Sequence, residues 1–353
     1  MTSGQAPAGP FQVTVQPSGR SFEVNPDEPI LAAAIRQGIG MPYGCKDGAC
    51  GSCKCRKLEG AVVHGPHQRK ALSEEEEAAG FILTCCGVPQ GDVVLESRQV
   101  TDESAFPVRK MPSRVLSLEK KSHDVMVIRL QLPANDSLRY HAGQYVEFIL
   151  RDGARRSYSM ANAPHNGPGV ELHIRHMPGG KFTDHVFTAM KEKEILRVEG
   201  PYGSFYLRED SDKPMILLAS GTGFAPIKAV IEHMQHKGIT RPATLYWGGR
   251  RPADLYLDDW VRSRLADMPN LSYVPVISNA LPEDNWTGRT GFVHKAVMED
   301  FPDLSGHQVY ACGAPIVVDC ARADYAALAK LPPEDFFADS FTTEADKHGA
   351  PAL

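Results

Sequence analysis

The sequence predicts a multidomain protein of mixed class: a small α+β domain of the β-grasp type, then an antiparallel β-barrel, then a parallel α/β sheet. Three observations lead there. Short strand-like segments and one helical stretch surround a glycine-rich cysteine loop in the first hundred residues. Closely spaced strand candidates separated by turn residues fill the middle of the chain. From about residue 214 buried strands and helices alternate, the rhythm of a parallel sheet. At 353 residues the chain is long enough for two or three such domains, each with its own core.

Composition narrows the function classes. With 42% hydrophobic and 23% charged residues and a net charge of −5, the chain is ordinary for a protein in water. No basic stripe points to nucleic acid. No uninterrupted apolar run approaches the length that spans a bilayer. The start, Met1-Thr2-Ser3-Gly4-Gln5-Ala6-Pro7, has neither the basic nor the apolar region of a secretory signal. Six of the eight cysteines (45, 50, 53, 55, 85 and 86) crowd into the first quarter. In a chain of this size without a signal, that favours metal binding over disulfides, and a cytoplasmic location is expected.

The first domain is expected over residues 10–99. Residues 11–15 and 21–24 alternate as strands, Asp27-Glu28-Pro29 opens a helix over 30–37, and short strands end at Val93-Val94-Leu95-Glu96. The acidic run 74–77 reads as a solvated helix face. Cys45, Cys50 and Cys53 stand in a C-x4-C-x2-C run, and Cys85 follows about thirty residues later. This is the ligand spacing of a plant-type 2Fe–2S centre. Gly44, Gly48, Ala49, Gly51 and Ser52 are small enough to let the backbone approach a compact cluster. Zinc is the alternative, but zinc sites pair C-x2-C with a second closely spaced pair. Cys85 and Cys86 are adjacent and would point oppositely on a strand. Leu83-Thr84-Cys85 resembles the L-x-C that carries the last ligand of plant-type ferredoxins, which selects Cys85 and leaves Cys55 and Cys86 as other thiols.

A linker near 101–107 leads to the second domain, expected over 108–207, with strands near 113–118, 125–132, 144–150 and 170–175. Arg156-Ser157-Tyr158-Ser159 ends a strand with chemistry suited to a flavin nucleotide. A guanidinium can pair with phosphate, a phenol ring can lie on the isoalloxazine, and a hydroxyl can sit near its reactive nitrogen. Gly179-Gly180-Lys181-Phe182-Thr183 offers backbone N–H groups and a hydroxyl to a pyrophosphate just before a helix. Gly200-Pro201-Tyr202-Gly203-Ser204-Phe205 reads as a turn that closes the barrel.

The third domain is expected over 214–341, with strands at 215–219, 243–247, 273–277 and 308–311 and a helix at 226–237. Ser220-Gly221-Thr222-Gly223-Phe224-Ala225-Pro226 follows a buried strand and opens a helix, the context in which glycines let a backbone approach a pyrophosphate. Pro226 suits an early helical position.

In this order, the R-x-Y-S, G-x-x-S/T, G-P-x-G-x-F and G-T-G-x-A-P strings resemble those of the ferredoxin–NADP⁺ reductase superfamily, over about residues 11–341. The resemblance implies that Arg156 and Gly179 to Thr183 hold the flavin phosphates, that Tyr158 packs on the ring, and that Ser159 lies near the nitrogen that receives hydride. His173, Ile174 and Arg175 look like the segment beside the flavin's adenosine. FAD is implied over FMN, because the FMN branch carries its ferredoxin domain at the C-terminus. Gly221, Thr222, Gly223 and Pro226 match the nicotinamide-binding motif. Cys312 and Gly313 match a C-G-x-P string whose cysteine orients the nicotinamide; a small buried core residue is the plainer reading of Cys312. Phe341 resembles the aromatic residue that shares the flavin face. Arg250 and Arg251 stand where a 2′-phosphate of NADPH would lie, yet relatives with this domain order mostly use NADH, often with a similar Asp254-Leu255-Tyr256.

The implied activity is a reductase that passes electrons from NADH, with NADPH as the alternative, through FAD and the 2Fe–2S cluster to a partner. Ser159 and Cys312 are the expected catalytic residues. The domain order belongs to reductase components of bacterial Rieske-type and diiron oxygenases, so an oxygenase component is the expected partner of a monomeric reductase. The strings G-G-K-F-T-D-H-V-F and G-T-G-F-A-P-I-K resemble the branch named for CDP-6-deoxy-Δ3,4-glucoseen reductase, which makes deoxysugar synthesis the alternative. A redox sensor without sustained turnover, or a flavin reductase with a vestigial cluster, are readings from other classes.

Overall fold

The computed structural model describes residues 9–100, 106–133, 138–167 and 169–343. The start read for a signal and residues 101–105 of the expected linker lie outside them. The chain divides between Pro107 and Val108 into two compact units.

In the first unit, β1 (Phe11–Gln16) and β2 (Arg20–Val24) pair antiparallel with Val13 opposite Phe22. Their alternation buries Val13, Val15, Phe22 and Val24. The helix α1 (Ile30–Arg36) begins after Pro29 and lays Ile30, Leu31, Ala33 and Ala34 into the core. The remaining elements are β3 (Lys54–Glu59), β4 (Val62–His64), α2 (Glu74–Ala78), β5 (Phe81–Leu83), β6 (Gly87–Pro89) and β7 (Val93–Glu96). β7 returns parallel to β1, giving the order β2-β1-β7-β3-β5, while β4 and β6 form a small separate ribbon. This is the expected β-grasp arrangement. α2 starts in a capping box made by Ser73 and Glu76 and buries none of its residues. Its four glutamates sit in the first turn, where the helix dipole favours them.

The second unit opens with an antiparallel sheet made by β8 (Arg109–Lys120), β9 (Val125–Gln131), β10 (Tyr145–Ile149), β11 (Arg155–Ser159), β12 (Gly169–Arg175) and β13 (Ile195–Tyr202), with α3 (Lys181–Thr188) between the last two. Its order is β11-β10-β13-β8-β9-β12. Ile128, Leu130, Val146, Phe148 and Leu172 fill its interior and are almost fully buried. One expectation changes: Gly200, Pro201 and Tyr202 continue β13, paired with β8 and β10, and the chain turns only at Gly203, whose φ is +92°.

The parallel sheet follows without a break in the unit. It contains β14 (Met215–Ser220), α4 (Phe224–Lys237), β15 (Ala243–Gly249), α5 (Asp258–Leu265), β16 (Leu271–Ile277), β17 (Arg289–Thr290), α6 (Val293–Asp300), β18 (Gln308–Gly313), α7 (Pro315–Leu328) and β19 (Phe336–Ser340). The order is β17-β16-β15-β14-β18-β19, with β14 central. Both faces are covered. Leu217, Leu245 and Tyr310 pack on one side, and Ile216, Leu218 and Val309 on the other. Where the sequence reading separates barrel and α/β domains, the structure packs them as one unit, and small residues at Ala142, Ala163 and Ala229 bring α4 against the barrel.

Among the described residues, no helix is long and apolar enough to cross a membrane. Leu217 is wholly buried in the central strand, so Leu217→Ala is expected to destabilise this unit by about 2–5 kcal/mol, read as a lower urea midpoint monitored by circular dichroism.

Candidate functional site

The cysteine loop precedes β3 and has no regular structure. Its thiols and that of Cys85 gather as Cys45 with Cys50 and Cys53 with Cys85, the latter also touched by Cys86. Cys45 and Cys50 hydrogen-bond each other, which holds the Cys45 thiol well above its usual range and draws Cys50 down to about 6. Cys85 hydrogen-bonds Cys53, and that contact raises its own thiol. Two pairs of thiols suit two iron atoms.

The loop around these thiols fits a cluster in other ways. The backbone N–H groups of Cys45 and Ser52 donate to Cys50 Sγ at 3.4 and 3.5 Å. A Cβ on Gly44 would stand 3.3 Å from that sulfur. Ser52 Oγ is buried without a hydrogen-bond partner. The sequence reasoning about Cys86 changes its ground. Residues 84–86 form a turn, not a strand, and the Cys86 thiol touches Cys85 while reaching the Leu83 carbonyl at 3.9 Å. Cys55 is buried in β3, and burial raises its thiol.

In the second unit, β11 carries Arg156, Tyr158 and Ser159. Arg156 and Tyr158 are half-buried and Ser159 is buried. Phe148 and Phe182 flank the Tyr158 ring at 5.9 and 5.4 Å. The loop before α3 is closed by Thr183, whose Oγ1 donates to the Met177 carbonyl at 2.8 Å and accepts from the Met177 N–H at 3.2 Å. Gly180 is the N-cap, so Lys181, Phe182 and Thr183 fall in the first turn, where backbone N–H groups lack intrahelical acceptors. The Gly179 N–H bonds Asp184 at 3.1 Å. The Phe182 side chain itself belongs to the barrel core, and Lys181 pairs with Asp152 at 2.6 Å. A groove of about 1250 Å³ at one end of the barrel shares only Lys181 and Phe182 with the expected flavin residues. Arg156, Tyr158 and Ser159 do not line it, so it is not taken as the flavin seat.

The nucleotide loop sits at the end of β14. Gly221 to Gly223 make one turn of 3-10 helix that runs into α4, and Trp247 Nε1 donates to the Gly221 carbonyl at 3.0 Å. Pro226 is the third residue of α4. Gly223 is required by close approach: a Cβ there would stand 2.1 Å from the Cys312 carbonyl oxygen. Cys312 and Gly313 end β18 next to this loop. Cys312 is 1% exposed, and burial, with the nearby Asp339 carboxylate, keeps its thiol protonated. Phe341 is half-buried and its N–H donates to the Gly313 carbonyl at 2.9 Å.

His173, Ile174 and Arg175 take places that the sequence did not foresee. The His173 side chain is fully enclosed, with one ring nitrogen 2.8 Å from Tyr256 Oη and the other 3.1 Å from Glu171. Ile174 is core. Arg175 pairs with Asp124 at 2.9 Å and brings Nη1 beside Gly221. At the carboxyl end of β15, the neighbour of β14, Arg251 is held by Asp284 through two 2.7 Å bonds, and Arg250 is exposed.

The expected site residues leave out Asp339. Pairing of β19 with β18 sets Asp339 opposite Cys312, and Ser159 Oγ donates to Asp339 Oδ2 at 2.9 Å. All three side chains are buried at the seam of barrel and sheet. The available signal was the acidic position two residues before Phe341.

Family models match three stretches: a 2Fe-2S iron-sulfur cluster binding domain over residues 13–90, an oxidoreductase FAD-binding domain over 112–206 and an oxidoreductase NAD-binding domain over 217–323. The chain is 40% identical over 334 residues to the CDP-6-deoxy-L-threo-D-glycero-4-hexulose-3-dehydrase reductase of Yersinia pseudotuberculosis, covering 94% of this chain and 98% of that protein. It is 33% identical to terephthalate 1,2-dioxygenase, reductase component 2, of a Comamonas species, covering 96% and 99%. Among solved structures, a cytochrome P450 reductase of Amycolatopsis matches with a TM-score of 0.77 at 32% identity, covering 94% and 99%. The match to the 2Fe-2S model sets the zinc alternative aside. The chain belongs to the ferredoxin–NAD(P)H reductase superfamily, in the group with a 2Fe–2S ferredoxin domain at the N-terminus, and is an NAD(P)H-dependent oxidoreductase with FAD and a 2Fe–2S cluster as cofactors.

Proposed function

We propose that this reductase draws on NADH and delivers single electrons to an oxygenase component. The observation that carries the reading is the buried contact of Ser159 with Asp339 beside Cys312. It brings the strand expected to face the flavin against the strand end expected to face the nicotinamide. Flavin bound there turns a two-electron hydride donor into a source of single electrons for a one-electron centre.

The chain's own residues bind and orient. Arg156 and the first-turn N–H groups of α3 face the diphosphate of the flavin, and Tyr158 packs on its ring. Ser159 Oγ donates a hydrogen bond to Asp339, which fixes the hydroxyl at the seam where the reacting edge would lie. Cys312 supplies a neutral thiol to the nicotinamide side, and Gly221 to Gly223 take the coenzyme's pyrophosphate. Cys45, Cys50, Cys53 and Cys85 hold the cluster.

NADH is favoured because Asp284 already occupies Arg251 in a bidentate pair, leaving Arg250 as the exposed guanidinium for a 2′-phosphate. The oxygenase partner is supported by the dioxygenase and P450 reductases among the relatives. A second reading, delivery to a deoxysugar dehydrase, is favoured by the higher identity to the Yersinia reductase. Anaerobic mixing of the NADH-reduced protein with each purified acceptor class decides: rapid reduction of a dehydrase and none of an oxygenase would reverse the order.

Three outcomes test the assignments. Cys85→Ser is expected to abolish the broad visible iron–sulfur absorbance, whereas Cys86→Ser keeps it; the opposite pattern would exchange their roles. Ser159→Ala is expected to slow bleaching of the flavin by NADH in stopped flow by about 10- to 100-fold, the scale of a misplaced reacting group, with little change in flavin content. The ratio of kcat/KM for NADH over NADPH is expected to be about tenfold or more, near 1.4 kcal/mol, and a ratio below unity overturns the coenzyme preference.

A further inference from the structure

We infer that Lys228 is a positioning residue, which bolts the helix behind the nucleotide loop to the barrel behind the flavin strand and so sets the approach of coenzyme to flavin. The inference rests on the flavin and nucleotide seats described above.

Lys228 lies in α4, five residues after Gly223, and is 5% exposed. Its ammonium is shared between the two halves of the unit. It meets Glu232 Oε1 of the same helix at 2.6 Å. From the barrel it meets the Ala161 carbonyl at 3.0 Å and Glu171 Oε1 of β12 at 3.2 Å. The Trp260 ring of α5 lies 5.0 Å away. Ala161 is only two residues beyond Ser159, so the lysine holds the end of the flavin strand almost directly.

Both carboxylates extend the clamp. Glu232 Oε2 accepts from the Ala163 N–H at 2.9 Å and from Asn166 Nδ2 at 2.5 Å, both on the barrel side. Glu171 also meets His173 at 3.1 Å and Arg129 at 3.1 Å, and His173 passes the chain of contacts to Tyr256 at 2.8 Å. Burial raises the Glu171 carboxyl, but His173 and Lys228 outweigh it and hold the group at about 2. The network therefore has hydrogen-bond partners on both sides of the seam.

An apolar seam would bury the same area and tolerate sliding. A buried ammonium is costly unless paired, so this one accepts a single register of helix on barrel. Register matters for the reaction, because hydride transfer needs reacting atoms about 3–3.5 Å apart. Ala142, Ala163 and Ala229 beside it leave no bulk to wedge the seam open.

The test uses the full-length protein purified with its flavin. Lys228→Met is expected to lower the limiting rate of flavin reduction by about tenfold or more. The charge-transfer absorbance formed on mixing with NADH should weaken, flavin content should stay at the wild-type level, and half-saturating NADH should change by less than about threefold. Lys228→Arg is expected to restore most of the rate. A wild-type rate in Lys228→Met with only a lower melting temperature would make Lys228 merely structural and overturn the inference, as would a loss confined to half-saturating NADH. If Lys228→Met does not accumulate, Glu232→Gln decides on the same readouts: a slower reduction with the flavin retained supports the role, and an unchanged rate overturns it. A wild-type protein whose flavin NADH fails to bleach would instead overturn the underlying reading.

Discussion

The buried hydrogen bond between Ser159 and Asp339 is the constraint on which the reductase unit depends. It spans 180 residues of sequence and closes the barrel strand β11 on the last strand of the parallel sheet. Two reacting rings must meet face to face, so the surfaces that hold them must be formed by different layers of one rigid unit. The sheet order serves this end. Because β18 lies between the central β14 and β19, the nucleotide loop, Cys312 and Asp339 all emerge at neighbouring strand ends. Ligands at the carboxyl ends of parallel strands are a general consequence of this topology.

The close approach of loops at that end is bought with small residues. Gly223 lies against the Cys312 backbone with no room for a side chain. Packing of Phe224 on Trp247, rings 3.9 Å apart, then holds the first turn of α4 in place. The same helix carries Lys228 into the seam, so one element transmits the position of the nucleotide loop to the barrel. A polar seam of this kind is specific where an apolar one is permissive.

The ferredoxin unit meets a different demand. Three thiols from an irregular loop and a fourth from the turn after β5 must approach a compact centre, with backbone N–H groups of the loop on Cys50 Sγ. Gly51, at a φ of +74°, supplies a backbone conformation that a side chain would strain. The β-grasp sheet gives this loop two anchors: β3 begins immediately after Cys53, and β5 ends two residues before Cys85. Cys85 and Cys86 stand in a turn and not on a strand, so they do not alternate between two faces.

Much was legible from the chain alone. The strands of β1, β2, β9, β12, β14 and β16 and the helices α1 and α4 follow from apolar alternation, capping and glycine placement, because those signals act within a few residues. The cysteine spacing, the R-x-Y-S string and the G-T-G loop are equally local, and the three-domain class with its cofactors followed from them. What the tertiary structure alone decided concerns partners distant in sequence. The Gly200–Tyr202 segment reads as a turn until β8 and β10 pair with it. The side-chain partners of His173, Glu171 and Tyr256, are likewise set by folding. Arg251 reads as a phosphate ligand until Asp284 takes the Nε and Nη2 side of its guanidinium. Lys228 ends the G-T-G-F-A-P-I-K string and Asp339 is the acidic residue two before Phe341, but neither string says which distant group each one meets. Their roles arise from burial and from charges brought together by folding, and no short-range pattern encodes which buried groups will meet.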